Sequence, residues 1–157
     1  EIVRTALALI GREAATLPAP DQTESIERAL QSARSIGVPD AARGVPGGAQ
    51  ANEWIDALPS AEALRPKIRR IAGTAEAVKL LAAGAIDLAL VAMSEVAATP
   101  GIALVGPITR PPTRGIAYAA AVPRSAQQAE LARAFIAHLR SAAAAKVFRQ
   151  AGYLVVE

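Results

Sequence analysis

The sequence has no cysteine, one histidine, one methionine, one tryptophan, two tyrosines and two phenylalanines among 157 residues. Without cysteine there is neither a disulfide framework nor a thiolate metal site. A single imidazole, His138, leaves no His cluster, and no set of carboxylates stands at a metal-ligand spacing. No run of ~18 apolar residues occurs, so no stretch reads as a membrane-spanning helix. Charge is also sparse: 17 basic against 14 acidic side chains give a net charge of +3. The densest basic spots, Arg69-Arg70 and Arg110 to Arg114, carry no interleaved aromatics, and a solvated surface is expected there rather than a nucleic-acid patch. The chain opens on Glu1 without a signal peptide, which reads as a processed or truncated product.

What remains is aliphatic. Hydrophobic residues make up 52% of the chain and aromatic ones 3%, and alanine alone is about a quarter, well above its usual share. Such a chain folds, because its apolar content is too high for disorder. Its core must be built from methyl groups that let backbones approach closely.

Residues 2–10 form an apolar run that reads as a buried strand closed by Gly11. The Pro-rich stretch Leu17 to Pro20 breaks regular structure, and Asp21 to Glu24 carries a capping-box spacing before a helical stripe of Ile26, Ala29, Leu30 and Ala33. Ser35 to Val38 reads as a strand, Ala49 to Leu58 as a helix, and Arg65 to Ala72 as a strand entered through Pro66. Gly73-Thr74 opens a helix closed by Gly84, and Ile86 to Met93 is a buried strand. This alternation predicts an α/β fold with a mainly parallel sheet flanked by helices. Beyond it, Ile102 to Val105 and Ile116 to Val122 read as strands. Ala-rich helices are expected near 126–139 and 142–151, capped by Ser125 and Ser141 and stopped by Gly152, before a last strand at 153–156. No internal repeat is present.

Catalysis is poorly provided for. His138 lies in a predicted helix, where packing explains it, and no carboxylate pair is spaced for acid–base work, so no catalytic residue is assigned. The turn Gly44 to Gly48 lacks the Lys-Ser/Thr of a phosphate-binding P-loop. Backbone groups offer another chemistry: a Gly-rich turn opening a helix presents unpaired N–H groups at the positive end of the helix dipole. Two such turns, at Gly47-Gly48 and at Gly73-Thr74, follow strands of one sheet, and a third turn runs through Ala92 and Ser94. Ligands of open α/β sheets bind at that carboxyl edge. Ordinary capping, with no ligand, is the commoner reading of such turns.

The ordered series Pro39-Asp40, Val45 to Gly48, Leu64 to Ile68, the Thr74 helix with Gly84, Ile86 to Val91 with Ser94-Glu95, and Pro100 to Pro107 resembles periplasmic molybdate-binding proteins. Ala132 to Ile136 and Lys146 to Tyr153 resemble that family's last two helices. The resemblance implies a periplasmic-binding-protein fold in which an oxyanion lies between two lobes and is held by neutral donors. It implies ligand-binding positions at Gly47, Gly48, Thr74, Ala92 and Ser94. Where the family's best-known members place a tyrosine hydroxyl, this chain has Ala92, which donates nothing from its side chain. The implied organisation is a crossover strand at 1–10, a ligand-binding second lobe at 11–105, a hinge loop and return strand at 106–122, and helices of an incomplete first lobe at 123–157.

The function so implied is a periplasmic, or externally lipid-anchored, solute receptor that passes a small oxyanion or related polar solute to an ABC permease. No cofactor, metal or nucleic acid takes part. Leu131, Phe135, Leu139, Val147 and Phe148 give the terminal helices apolar faces, for which a homodimer or domain swap is expected to provide cover. An effector-sensing domain of a transcription regulator is the alternative, distinguished by a helix-turn-helix segment. An enzyme of the same fold is the third reading, disfavoured by the missing Cys and acid–base pair.

Overall fold

The computed structural model describes residues 1–12, 23–96, 99–108 and 115–155. The Pro-rich stretch at 17–20, the first two residues of the capping box and the basic loop at 110–114 lie outside these.

Two sheets organise the chain. The larger has five strands in the order β4-β3-β5-β2-β6, with β2 at Leu7–Arg12, β3 at Ile36–Pro39, β4 at Ile68–Ile71, β5 at Leu88–Ala92 and β6 at Ile102–Ile108. The smaller has β7 (Ile116–Tyr118) and β8 (Leu154–Val155) on either side of β1 (Val3–Thr5), all antiparallel. Helices α1 (Thr23–Ser32), α2 (Gly48–Asp56), α3 (Ala61–Leu64) and α4 (Thr74–Ala82) surround the large sheet, and α5 (Ala129–Leu139) and α6 (Ala142–Gln150) precede β8. The α/β class, a sheet with flanking helices, matches the expectation.

The sheet is mixed rather than uniformly parallel. β3 pairs in parallel with β4 and β5, whereas β2 runs antiparallel between β5 and β6. The expected strand at 2–10 is correspondingly two strands: the chain leaves one sheet at Thr5 and enters the other at Leu7, with Ala6 between. The apolar run does not register this, because Val3, Thr5, Ala6 and Leu7 are all buried across the change of sheet.

Burial on both faces explains the continuous apolar runs. Along β2, Leu7 and Leu9 join a cluster with Leu30, Trp54 and Leu64 beneath α1, α2 and α3, while Ile10 joins Ile71, Leu81 and Val91 beneath α4. On β5, Leu88 and Leu90 face the first cluster and Ala89 and Val91 the second. Small residues set the spacing: a Cβ at Gly37 would stand 2.9 Å from Ile86 Cδ1 and 3.2 Å from the Ala89 Cβ.

Other departures have local causes. Residues 61–67 are helical, α3 running into a 3₁₀ turn at Arg65–Lys67, because Pro66 fits an early helical position better than a strand. β7 stops at Tyr118, opposite Val3, where β1 begins. Ser125 caps nothing: the turn at 124–128 delays α5, whose N-cap is Gln128. Ser141 does cap α6, accepting from the Ala144 N–H at 3.2 Å. Gly152 takes a left-handed φ of 80° as the Tyr153 N–H donates back to the Phe148 carbonyl at 2.9 Å, closing the helix as expected. Edge-to-face contacts of Tyr153 with Tyr118 (5.7 Å) and Phe148 (5.8 Å) then tie α6 to the small sheet.

Two outcomes are expected. Gly48 has no room for a side chain, since a Cβ would sit 2.7 Å from Ala41 N and 2.8 Å from the Pro39 carbonyl oxygen. Gly48→Ala should therefore lose about 1–3 kcal/mol in a urea melt, and an unchanged midpoint would contradict this packing. Acid stability should depend on Arg34, which joins the turn after α1 to Asp87 through its backbone N–H at 2.8 Å and its guanidinium at 2.7 Å. The side-chain bond from Arg34, helped by that N–H, holds the Asp87 carboxyl below its usual range against partial burial. A lowered carboxyl pKa stabilises the fold above the unfolded-state pKa, and the contribution disappears as pH falls through the folded-state value. Arg34→Ala should shift the onset of acid unfolding, followed by circular dichroism, to higher pH.

Candidate functional site

The parallel pairing of β4, β3 and β5 brings their carboxyl ends to one edge of the sheet. Three loops leave from there. After β3, the Asp40 N–H donates to the Ile71 carbonyl (3.0 Å), tying the first loop to the second, and Gly44 and Gly47 turn the chain through left-handed φ values of 70° and 81°. After β4, Ala72 and Gly73 lead directly into α4. After β5, a 3₁₀ turn spans Met93–Glu95.

These loops enclose a cleft of about 320 Å³. Pro39, Val45 and Pro46 line it from the first loop, Ala72 to Ala75 from the second, and Val91, Ala92 and Glu95 from the third. Its wall is mainly aliphatic and backbone, with the Thr74 hydroxyl and the Glu95 carboxylate as its polar side chains.

At the start of α4, Gly73 is the N-cap and supplies no side-chain cap. The N–H groups of Thr74 and Ala75 consequently have no intrahelical partner. Two carboxylates attend this positive helix end. Glu76 reaches back to accept from the N–H of Ala72, the residue before the N-cap, at 2.6 Å. Glu95, from the opposite loop, accepts from the Thr74 hydroxyl. Tyr118 of the small sheet packs edge to face on Tyr153. Burial, the neighbouring Tyr153 and the charge of Glu95 push the Tyr118 hydroxyl pKa up, which keeps the phenol protonated.

The residues singled out from the sequence are distributed unevenly. Thr74 and Ala92 line the cleft together. Gly47 and Gly48 follow the lining residue Pro46 but are themselves buried. Gly47 packs toward β7 and β2, where a Cβ would meet Ile116 Cδ1 at 3.1 Å and Leu7 Cδ1 at 3.6 Å. Ser94 does not line the cleft: its N–H donates to the Thr5 hydroxyl at 3.0 Å, and its own buried hydroxyl has no partner. Glu95, unremarked as a site residue in the sequence, is the side chain that the geometry adds. No local signal marks it, because its place depends on the Thr74 hydroxyl, 21 positions away. His138, in the last turn of α5, is remote from all of this in sequence and carries no cleft contact. A second hollow of about 330 Å³ lies at the outer edge of β4, but its Arg70 is satisfied by Asn52 (2.7 Å) and its Arg65 by Asp56 (3.2 Å).

Among the described residues no group of three or more His, Asp or Glu is placed to hold a metal ion. The arrangement is thus a small cleft with backbone donors at one end and a carboxylate acceptor beside them.

Comparison with known proteins gives this arrangement a context. The backbone is similar to a substrate-binding domain assigned to a molybdenum ABC transporter from Clostridium difficile. That match has a TM-score of 0.76 at 20% identity, and covers 100% of this chain and 66% of the other. It is also similar to the periplasmic molybdate-binding protein of Azotobacter vinelandii, with a TM-score of 0.64 at 17% identity over 99% of this chain and 67% of that one. A third similarity is to an amino acid ABC transporter substrate-binding protein from Streptococcus pneumoniae bound to L-arginine. Here the TM-score is 0.56 at 19% identity, with 99% of this chain and 60% of the other covered. The chain thus spans about two thirds of the length of the first two, at identities that speak for the fold alone. No curated protein matches the sequence. The family described as bacterial extracellular solute-binding protein matches residues 1–154, and the chain belongs to it. This is a family of binding proteins rather than enzymes.

The opening of α4 should be sensitive to backbone freedom rather than to space. Gly73 has φ 141° and ψ −174°, a region open essentially to glycine, yet nothing lies within 4 Å of the place its Cβ would take. Gly73→Ala should cost about 1–3 kcal/mol of unfolding free energy through strain alone. A melt indistinguishable from the parent protein would show that the loop relaxes without cost.

Proposed function

We propose that this member of the bacterial extracellular solute-binding proteins is a receptor for a small polar solute, held in the cleft at the carboxyl ends of β3, β4 and β5 and delivered to an ABC permease. The observation that carries the reading is the open amino end of α4, whose unpaired N–H groups face a small, mostly apolar cleft without a cation. Such donors suit a small oxyanion, because a dipole and N–H groups attract negative charge without burying a counter-charge that would hinder release. The two relatives named for molybdenum or molybdate transport support an oxyanion. A periplasmic location follows from the same reading.

In this reading residues 11–105 form one lobe, 1–10 cross into it, 106–122 return as hinge and strand, and 123–157 belong to the other lobe. Thr74 donates through its backbone. Gly47 and Gly48 shape and open the loop beside it, Ala92 lines the third wall, and Ser94 holds that wall from behind through its N–H on Thr5. The solute is trapped when the lobes close, a shift of population toward the closed state. The partition of β1 and β2 between two sheets at Ala6 supports a crossover at that point. Leu131, Phe135 and Val147, each at least 60% exposed, support a face on α5 and α6 that other protein surface covers. In the intact protein that surface is the remainder of the other lobe; for the 157 residues alone it is a second copy, as a homodimer or domain swap.

Thr74 is the first residue of α4, where proline is compatible with a helix but removes the N–H. Thr74→Pro should weaken solute binding in the intact protein by about 1.5–3 kcal/mol, the loss of a hydrogen bond to a charged group, while Thr74→Val, which keeps the N–H, should lose less. Unchanged calorimetric affinity in a folded Thr74→Pro variant would remove the α4 amino end from the site. For the 157-residue chain by itself, light scattering should show dimers, or an exposed-surface dye should bind. A dye-silent monomer would overturn the lobe assignment of the terminal helices.

A further inference from the structure

We infer that the outer edge of β4 is a docking edge for another protein, which lays an acidic, extended segment along it as an added strand of the large sheet. The inference does not depend on the solute cleft.

β4 ends the sheet on one side. Its register with β3 sets Arg69 beside Gly37 and Ile71 beside Pro39, and the Ile71 carbonyl accepts from the Asp40 N–H at 3.0 Å. The main-chain groups of Arg69 and Ile71 therefore face β3, and by the alternation of a strand those of Ile68 and Arg70 face outward. The Ile68 N–H is taken by the Arg65 carbonyl. The Ile68 carbonyl and both main-chain groups of Arg70 are left on the open edge, where an incoming strand can pair with them.

Charge decides which strand that is. Arg65, Lys67, Arg69 and Arg70 put four cations in six residues. The two nearby carboxylates, Asp56 and Glu62, both lie on Arg65. Lys67 donates to the Gln31 carbonyl and Arg70 to Asn52 Oδ1, partners that hold these side chains without neutralising them. Among the described residues no carboxylate pairs with Lys67, Arg69 or Arg70. The hollow of about 330 Å³ beside this edge is lined by Ile68 and Arg70, the two residues that bond outward, and by Arg65. Every second side chain of an added strand would lie on that face of the sheet. A carboxylate there meets Arg70, whose guanidinium keeps donors beyond the one given to Asn52. A second copy of this chain fits badly, because β4 against β4 would set arginines opposite one another. The same side chains thus repel one class of strand and attract another.

The test uses the intact protein and two end-blocked octapeptides, one alternating Thr and Glu, the other alternating Thr and Lys. By fluorescence anisotropy the Thr-Glu peptide should bind, and weaken on going from low salt to about 0.5 M. The Thr-Lys peptide should bind at least about tenfold more weakly. Hydrogen exchange at the Arg70 amide should slow when the Thr-Glu peptide is bound, since that N–H becomes part of a ladder. Arg70→Ala, which keeps the N–H, should weaken binding by about tenfold, the loss of a hydrogen bond to a charged group. Arg70→Pro removes the N–H as well while sparing the bonds of Arg69 and Ile71 to β3, and should weaken it further. Equal binding of the two peptides overturns the inference, and so does bound Thr-Glu peptide with unchanged exchange at Arg70, which would mean attraction to charge without strand addition. Slow exchange at Arg70 without peptide, deepening with protein concentration, would put a second copy on this edge and overturn it too.

Discussion

The pairing of β2 with β5 is the constraint on which the site depends. β2 is the antiparallel strand between β5 and β6, with Leu7, Ala8, Leu9 and Ile10 inaccessible to solvent, and it meets β5 from Leu7–Ala92 to Gly11–Leu88. At the end of that ladder the pairing continues as loop contacts. The Met93 N–H donates to the Ala6 carbonyl at 2.9 Å, and the Ser94 N–H to the Thr5 hydroxyl at 3.0 Å. Thr5 is fully buried, so its hydroxyl must find a partner. The turn at 93–95 is thereby clamped to the point where the chain changes sheets, and Glu95 is delivered to the cleft by the same clamp. Site and crossover are mechanically one unit.

That coupling gives the electrostatics of the cleft their meaning. A helix amino end next to a cleft, taken alone, argues for anions of any kind. Here one carboxylate, Glu76, is spent on its own helix, where it satisfies the Ala72 N–H and softens the positive end. The second, Glu95, comes from a different loop and contributes nothing to the helix cap beyond the Thr74 hydroxyl. Exposed side chains rarely hold such a position for stability, since an isolated exposed interaction is worth little.

Much of this was legible in the sequence, and the illegible parts share one cause. The α/β alternation, the helix stop at Gly84, the Ser141 cap and the Gly152 stop depend on residue type and local spacing, and local rules locate them. The split at Ala6, the reversed direction of β2 and the early end of β7 depend on which strand lies alongside, and nothing within residues 2–10 or 116–122 encodes that. Thr74 and Ala92 were accessible because they close or follow strands. Glu95 was not, because its role arises from a hydrogen bond to a residue 21 positions away. Ser94, attractive as a hydroxyl, has its backbone committed to Thr5 instead.

The alanine content is tied to the same geometry. Ala77 and Ala89 are fully buried where α4 lies on the sheet, beside the Gly37 position that has no room for a methyl group. Close seating of α4 brings its first turn down to the strand ends, so small core residues place the unpaired N–H groups at the cleft. The terminal helices use alanine differently: α5 buries no residue, and α6 buries only Ala145. Their larger apolar side chains point outward, and what orders them locally is the aromatic contact of Tyr153 with Tyr118 and Phe148. Tyr118 is also the residue of the small sheet that feels the charge of Glu95.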